Sequence, residues 1–478
     1  MSERAVALEL ERVLEQTGGR CVPSRAAFGA ALDPSTDTRA LRPGQVYVAL
    51  RGERFDGHDF LPQARARGAV GAIVERAEAL PPDLPGIVVE DTTRAYLACA
   101  RTARDSFMGH VAAITGSVGK TTTKAFCTTL CQAAGLGPVL ATPANENNEI
   151  GVGHLLLRAL RAQTTPRMLV VEMGARHAGE IEVLAGAVLP EVGILTGVGD
   201  SHLENFESLA ALEETKWGLF AFGARPVISG SDGASLARLE RVIEREPLLC
   251  YGEAGTQAGD PRAGELRVSA AGAGRVRVEY REPGARAARV LEAKFAIPGA
   301  HHRLDAALAL GCVAVLGGDL EAAVAALAQA ALPEGRYESV ELPNGACLVY
   351  DAYNAAPSST EAALVTFAGQ HARRRIAVLS SMAELGSNAE QLHRRVGACA
   401  GALTRRRALD ALLVGGEFSG ALEEGAIAGG APPASITRYA SNADATEWLR
   451  DYLRPGDAVL LKGSRRYKME EILEGLRR

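Results

Sequence analysis

Short apolar runs alternate with helix-length segments along the whole chain, and polar turns divide them into three groups. The first group holds Gln45-Val46-Tyr47-Val48-Ala49-Leu50 and Gly71-Ala72-Ile73-Val74, with a helical stretch from Thr93 to Asp105. Strand-length runs with helices between or after them predict a small α/β domain over residues 1–107. The second group, residues 108–331, opens with a strand at His110 to Thr115, a glycine turn and a helix from about Lys120. Met168 to Glu172 and Val192 to Thr196 repeat the pattern, which predicts a parallel sheet covered by helices on both faces. From about Glu265 to Phe295 the period drops to two, as in Val276-Arg277-Val278-Glu279-Tyr280, predicting an antiparallel extension of that sheet. A helix from about Leu304 to Leu316 is expected to close the block. The third group, residues 332–478, returns to the alternation with strands at Cys347 to Tyr350, Ile376 to Leu379, Ala411 to Val414 and Ala458 to Leu461. It reads as a Rossmann-like α/β domain, with Gly- and Pro-rich Gly425 to Pro433 as a surface loop.

A length of 478 residues exceeds one ordinary core and agrees with several domains. The net charge of −5 leaves no basic footprint for nucleic acid or an anionic membrane. No run approaches the roughly 20 apolar residues that span a bilayer, and Met1-Ser2-Glu3-Arg4 has no signal-peptide core. The eight cysteines are scattered. Cys127 and Cys131 lie four apart with no matching pair, which argues against zinc and for reduced, buried thiols in a cytoplasmic protein.

Thr115-Gly116-Ser117-Val118-Gly119-Lys120-Thr121-Thr122-Thr123 lies between a predicted strand and a predicted helix. Glycines let backbone N–H groups approach phosphate oxygens, and the helix N-terminus favours their charge. Gly116, Ser117, Val118, Gly119 and Thr122 would cradle the phosphates, Lys120 would reach the β- and γ-phosphates, and Thr121 would offer its hydroxyl to Mg²⁺. Ile114 stands where the longer phosphate-loop pattern has glycine, so this is the shorter G-x-x-G-K-T form. Such loops serve switches and motors as well as transferases and ligases. Glu172 ends a strand of the same sheet, where ligands collect, although by itself it reads better as a capping or surface glutamate. By spacing alone His202 reads as a polar loop histidine and Lys216 as a solvated helix lysine.

Longer strings add a resemblance. Asp37-Thr38-Arg39, Leu41-Arg42-Pro43-Gly44 and Phe55-Asp56-Gly57-His58-Asp59-Phe60 come first. Asn145-Glu146-Asn147-Asn148-Glu149-Ile150-Gly151, Glu172-Met173-Gly174, Gly179-Glu180-Ile181, Asp200-Ser201-His202-Leu203-Glu204 and Lys216 follow in the second block. Gly335-Arg336, Asp351-Ala352-Tyr353-Asn354-Ala355-Ala356-Pro357, Met382 to Gly386 with His393, and Lys462-Gly463-Ser464-Arg465 complete the set. Together they resemble the Mur ligase family over essentially the whole chain, and within it the branch that handles D-alanyl-D-alanine. The resemblance implies a cytoplasmic, ADP-forming ligase that activates a carboxylate as an acyl phosphate and passes it to an amine. It implies ATP, Mg²⁺ at two sites, and UDP-N-acetylmuramoyl-tripeptide and D-alanyl-D-alanine as substrates in cell-wall peptide synthesis, on a monomer.

The same resemblance assigns residues. It places the UDP-linked substrate near Thr38, Arg39, Asp56 and His58. It puts Asn145, Asn148 and Asp305 beside the nucleotide, Arg336 at the γ-phosphate and Asp351 on the nucleotide side of the closing block. Glu172 and His202 become Mg²⁺ ligands, and Lys216 becomes a carbamylated lysine that helps hold metal. Tyr353, Asn354, Lys462 and Ser464 face the incoming amine. The chain departs from the family pattern at His302 and Asp305, both usually Asn, at Ala356, usually Asn, at Ser380-Ser381, usually Gly-Asp, and at Gly153, commonly Pro. A ligase of the same kind joining another acid and amine would keep every catalytic residue, and binding of UDP-linked substrates separates the two. A nucleotide switch or a noncatalytic paralogue would leave the first block, or the retained Lys120, Thr121, Glu172, His202 and Lys216, without a use.

Overall fold

The computed structural model describes residues 6–52, 55–199, 203–242, 246–253 and 261–478. Three large sheets follow one another along the chain, beside a two-stranded pairing of Leu8–Glu9 with Ala31–Leu32. The first contains β1 (Arg20–Val22), β2 (Pro34–Ser35), β3 (Val46–Val48), β4 (Gly71–Val74) and β5 (Gly86–Val88) in the order β1-β5-β4-β3-β2. It is parallel except for β1. The helix α1 (Thr92–Asp105) begins where Asp91 accepts hydrogen bonds from the N–H groups of Thr93 and Arg94 at 2.8 and 2.9 Å. Its buried face packs on the helix Glu149–Arg161 of the next unit, and one hydrophobic core runs without a break from Ile73 through Tyr96 to Leu155 and Val171. Gly153 explains one departure: a Cβ there would lie 2.9 Å from the Tyr96 ring, so the close approach of α1 leaves no room for proline.

The central sheet has nine strands: β6 (His110–Thr115), β7 (Val139–Ala141), β8 (Met168–Glu172), β9 (Val192–Leu195), β10 (Arg225–Ser229), β11 (Leu248–Tyr251), β12 (Glu265–Ala270), β13 (Arg275–Arg281) and β14 (Arg289–Lys294). Their order is β14-β13-β12-β11-β10-β9-β6-β8-β7. The sheet is parallel from β7 to β12 and antiparallel from β12 to β14, as the change to period two indicated. β8 and β9 are buried along their whole length, which an unbroken apolar run between two helical layers requires. Those layers include α2 (Lys120–Ala133), α3 (Glu149–Arg161), α4 (Glu180–Val188), α5 (Leu209–Trp217) and α6 (Ala300–Val315). The chain reverses direction across the sheet beside β6, so the carboxyl ends of β6, β8 and β9 face one crevice.

Two expectations about this block need correction. α6 starts at Ala300 rather than near Leu304, because Gly299 (φ +100°) launches it and the polar His301-His302-Arg303 hid its first turn from an apolar pattern. It does not close the block either, since a further helix, Leu320–Ala326, packs after it. Five cysteines are buried, while Cys21, Cys347 and Cys399 are half-buried.

The third sheet contains β15 (Glu338–Glu341), β16 (Cys347–Asp351), β17 (Arg375–Leu379), β18 (Ala411–Val414), β19 (Ile436–Arg438) and β20 (Ala458–Lys462), ordered β15-β16-β20-β17-β18-β19 and parallel except for the β15–β16 hairpin. α7 (Pro357–Ala368), α8 (Ala389–Arg405) and α9 (Ser419–Ala428) cover it. Gly425 to Ala428 is therefore helix rather than loop. A Cβ at Gly397 or Gly401 would collide with backbone of Leu422 or Ala426, and one at Gly425 with Arg394, so these glycines serve close packing of α8 on α9.

Candidate active site

The phosphate loop follows β6 and turns into α2 at Gly119, whose φ of +83° a side chain would resist. Ser117 is stitched to the segment after β9: its Oγ donates to Gly199 O at 3.0 Å and accepts from Gly199 N at 2.9 Å. Lys120 folds back over its own loop, donating to Gly116 O at 2.7 Å and Ser117 O at 3.2 Å. Burial pushes its amine down to about 8; Glu172 opposes that shift and the Arg336 guanidinium adds to it.

Glu172 ends β8 beside this loop and is 1% exposed, which removes the capping or surface reading. Its Oε1 accepts from Thr121 Oγ1 at 3.1 Å and from Asn147 Nδ2 at 3.0 Å, and its Oε2 lies 2.9 Å from Lys124 Nζ. Burial pushes its carboxyl up, but the Lys124 and Lys120 ammonium groups outweigh that and hold it below the ordinary value. Lys216, in the last turn of α5, is also 1% exposed, so it is not a solvated lysine. Burial drives its amine down to about 7, Lys120 assists, and Glu180 pulls the other way. Among the described residues no carboxylate pairs with it.

The third block reaches over this crevice. Arg336 donates to Thr121 Oγ1 at 3.0 Å, and its guanidinium lies 4.8 Å from the Tyr353 ring centre. Lys462, buried at the end of β20, sits 3.1 Å from Asp351 Oδ2 and donates to Asn354 O at 2.8 Å. Burial lowers its amine against the opposing pull of Asp351. Asp351 Oδ1 accepts from Tyr337 N at 3.2 Å. Between the central and third blocks lies a cavity of about 720 Å³. Ser117 to Thr122, Asn145, Asn148, Glu172, Lys216, Asp305, Arg336, Asp351, Tyr353, Asn354 and Lys462 all line it.

Other candidates lie elsewhere. Thr38, Arg39, Asp56 and His58 are in the first block, outside this cavity. Thr38 donates to Gln63 at 2.9 Å, and Arg39 is an exposed partner of Asp37. His58 accepts from Glu75 N at 3.0 Å through Nε2, so Nδ1 carries the proton that it donates to Asp56 at 2.6 Å. Ser464 is buried behind the cavity wall, where its hydroxyl accepts from Ala383 N at 2.9 Å. His202, with Asp200 and Ser201, lies outside the described residues. Two residues were missed. Asn147, not only its neighbours Asn145 and Asn148, touches Glu172; Asn148 caps α3 by accepting from Gly151 N. Lys124, one turn after Lys120, pairs with Glu172 and donates to Ala144 O at 2.6 Å. The four-residue spacing on one helix face could have found it.

Family profiles match in three places: "Mur ligase family, catalytic domain" over residues 35–104, "Mur ligase middle domain" over 114–313, and "Mur ligase, glutamate ligase domain" over 335–465. A curated relative from Synechocystis, named UDP-N-acetylmuramoyl-tripeptide–D-alanyl-D-alanine ligase, is 31% identical over 90% of this chain and 88% of its own. One of the same name from Escherichia coli is 31% identical over 92% of this chain and 93% of its own. A crystal structure of MurF from Acinetobacter baumannii superposes with a TM-score of 0.84 at 25% identity, covering all of both chains. MurF from Thermotoga maritima, solved with ADP, gives 0.76 at 26% identity, over 93% of this chain and 96% of that one.

Proposed function

This chain belongs to the Mur ligase family, and from that premise we propose that it joins D-alanyl-D-alanine to UDP-N-acetylmuramoyl-tripeptide, consuming ATP, in cell-wall peptide synthesis. The observation that carries this reading is the match to ligases of that name across nine-tenths of the chain. The peptide carboxylate takes the γ-phosphoryl group of ATP, giving an acyl phosphate and ADP. The amine of the dipeptide then attacks the acyl carbon and expels phosphate.

Positioning and charge neutralisation supply most of the catalysis in such transfers. Lys120 lies over the phosphate loop and Arg336 reaches Thr121 from the third block, so both can offset charge on the transferring group. Gly116, Ser117, Val118, Gly119 and Thr122 cradle the phosphates, with Asn145, Asn148 and Asp351 on the nucleotide side. Thr121 and Glu172 fit Mg²⁺, because they present bonded oxygen donors in a buried acidic position that already attracts the Lys124 ammonium. Bound there, the ion would draw negative charge from the phosphoryl oxygens. His202 and Lys216 are the residues for a second ion.

Lys216 suits carbamylation. An amine near 7 is about half uncharged at neutral pH, and the uncharged form adds to CO₂ through a new N–C bond, releasing one proton and leaving an anion. That anion relieves the repulsion from Lys120. The first block carries the UDP moiety through Thr38, Arg39, Asp56 and His58, and Tyr353, Asn354 and Lys462 border the incoming amine, with Ser464 positioning the wall behind them. Domain limits at 107/108 and 331/332, a monomeric state and a cytoplasmic location complete the reading. Among the described residues no helix is long and apolar enough to cross a membrane.

The test is phosphate release from ATP with UDP-N-acetylmuramoyl-tripeptide, with and without D-alanyl-D-alanine, and the product mass. Release that requires both, with two alanines added, is expected. Release only with another acid and amine would keep the ligase and discard the pathway.

A further inference from the structure

Asp305 stands on α6 where the family pattern has asparagine, and its surroundings do not suit an ionised acid. It is 6% exposed. Its Oδ1 accepts a single hydrogen bond, from Thr123 Oγ1 at 3.0 Å. The same oxygen presses on the phosphate loop, so that a Cβ on Gly119 would lie 2.5 Å from it. Cys127 on α2 and Arg336 from the third block act on it electrostatically, and Lys120 on α2 with His301 and His302 on its own helix line the same cavity. None of them forms an ion pair with it among the described residues. A buried carboxylate with one neutral partner is costly, and the group responds by keeping its proton. Burial pushes it up to about 8, against weaker opposition from Thr123 and Arg336.

The chemistry changes with that proton. A neutral carboxyl offers an acceptor, here used by Thr123, and an O–H donor, the same pair that a carboxamide offers; a carboxylate only accepts. The residue lines the cavity beside the phosphate loop. We propose that Asp305 holds the nucleotide as a neutral acid, donating its carboxyl O–H to an acceptor atom of that ligand, so that ionisation converts a binding group into a repelling one. The proposal rests on the nucleotide reading of the cavity given above. Its consequence is linkage. Below the raised value the proton is present and affinity is full; above it, binding must take up a proton, and each pH unit costs up to about tenfold. Lys120 titrates in the same range and also weakens binding as pH rises, so the informative quantity is a difference between chains.

The experiment is calorimetric titration of the full chain with ADP and Mg²⁺ from about pH 6.5 to about 9.5, in buffers of different ionisation enthalpy. Wild type, Asp305→Asn and Thr123→Val are compared, with thermal melting as the check on folding. The wild-type Kd should rise above about pH 8 with proton uptake. Asp305→Asn, normalised to its own low-pH value, should rise by up to about tenfold less per pH unit and take up one proton fewer. Thr123→Val removes a hydroxyl that favours the carboxylate, so its affinity should hold to higher pH. Equal slopes and proton counts in wild type and Asp305→Asn overturn the proposal. If Asp305→Asn does not fold, a Thr123→Val midpoint unchanged from wild type overturns it instead. Failure of the wild type to bind ADP at any pH removes the nucleotide reading and the proposal together.

Discussion

Two polar clusters in this molecule are built from similar residues and treated in opposite ways. In the first block His58 is buried, but both ring nitrogens are engaged, and Asp56 is held well below the usual carboxylate range by Arg76 first and His58 after it. Around the central cavity Lys120, Lys216 and Asp305 are also enclosed, yet among the described residues each lacks an opposite charge close enough to compensate, and each is driven toward its neutral form. The first cluster is electrostatically finished. The second is left uncompensated among the described residues. Burial with partners makes a scaffold, whereas burial without them leaves lysines that a polyanion can compensate and an acid that keeps its proton.

The largest expected break in this comparison comes from removing the cations that have no carboxylate ion-pair partner among the described residues. Lys120→Ala or Arg336→Ala should cut turnover roughly 10²-fold or more while leaving the melting temperature nearly unchanged. Parallel losses of turnover and stability would place both residues with the scaffold.

Lys216 sharpens the contrast through pH. Its folded value, about 7, lies below its ordinary 10.5, so the chain releases a proton on folding. The destabilisation is therefore full below about 7 and fades as pH rises through the window up to 10.5. Lys216→Met should raise the melting temperature by several degrees at pH 6 and by much less near pH 10, measured without CO₂, while abolishing turnover. A gain independent of pH would show that packing, not charge, is responsible.

The smallest effect on chemistry is expected in the first block. His58→Ala leaves Glu75 N without its acceptor and Asp56 with Arg76 but no imidazole, and should cost about 1–3 kcal/mol of stability. Its kcat should stay within a few-fold of wild type, with any change falling on KM for the UDP-linked substrate. A kcat loss comparable to that of Lys120→Ala would erase the distinction between the clusters.

Local chemistry made much of this legible from sequence. The apolar runs marked β4, β6, β8 and β18 closely, and the Gly-Lys-Thr string marked the phosphate loop, because strand period, turn residues and helix starts are written in neighbouring positions. From sequence helix α6 reads four residues short and Gly425 to Ala428 reads as loop, because polar first turns and packing glycines look like breaks when no partner helix is in view. Glu172 and Lys216 read by spacing as ordinary surface residues. Only the tertiary structure could bury them, set Lys124 and Asn147 on Glu172, and bring Arg336 to Thr121 across 215 positions. Burial, and the charge states that follow from it, depend on segments far apart in the chain, which no local pattern records.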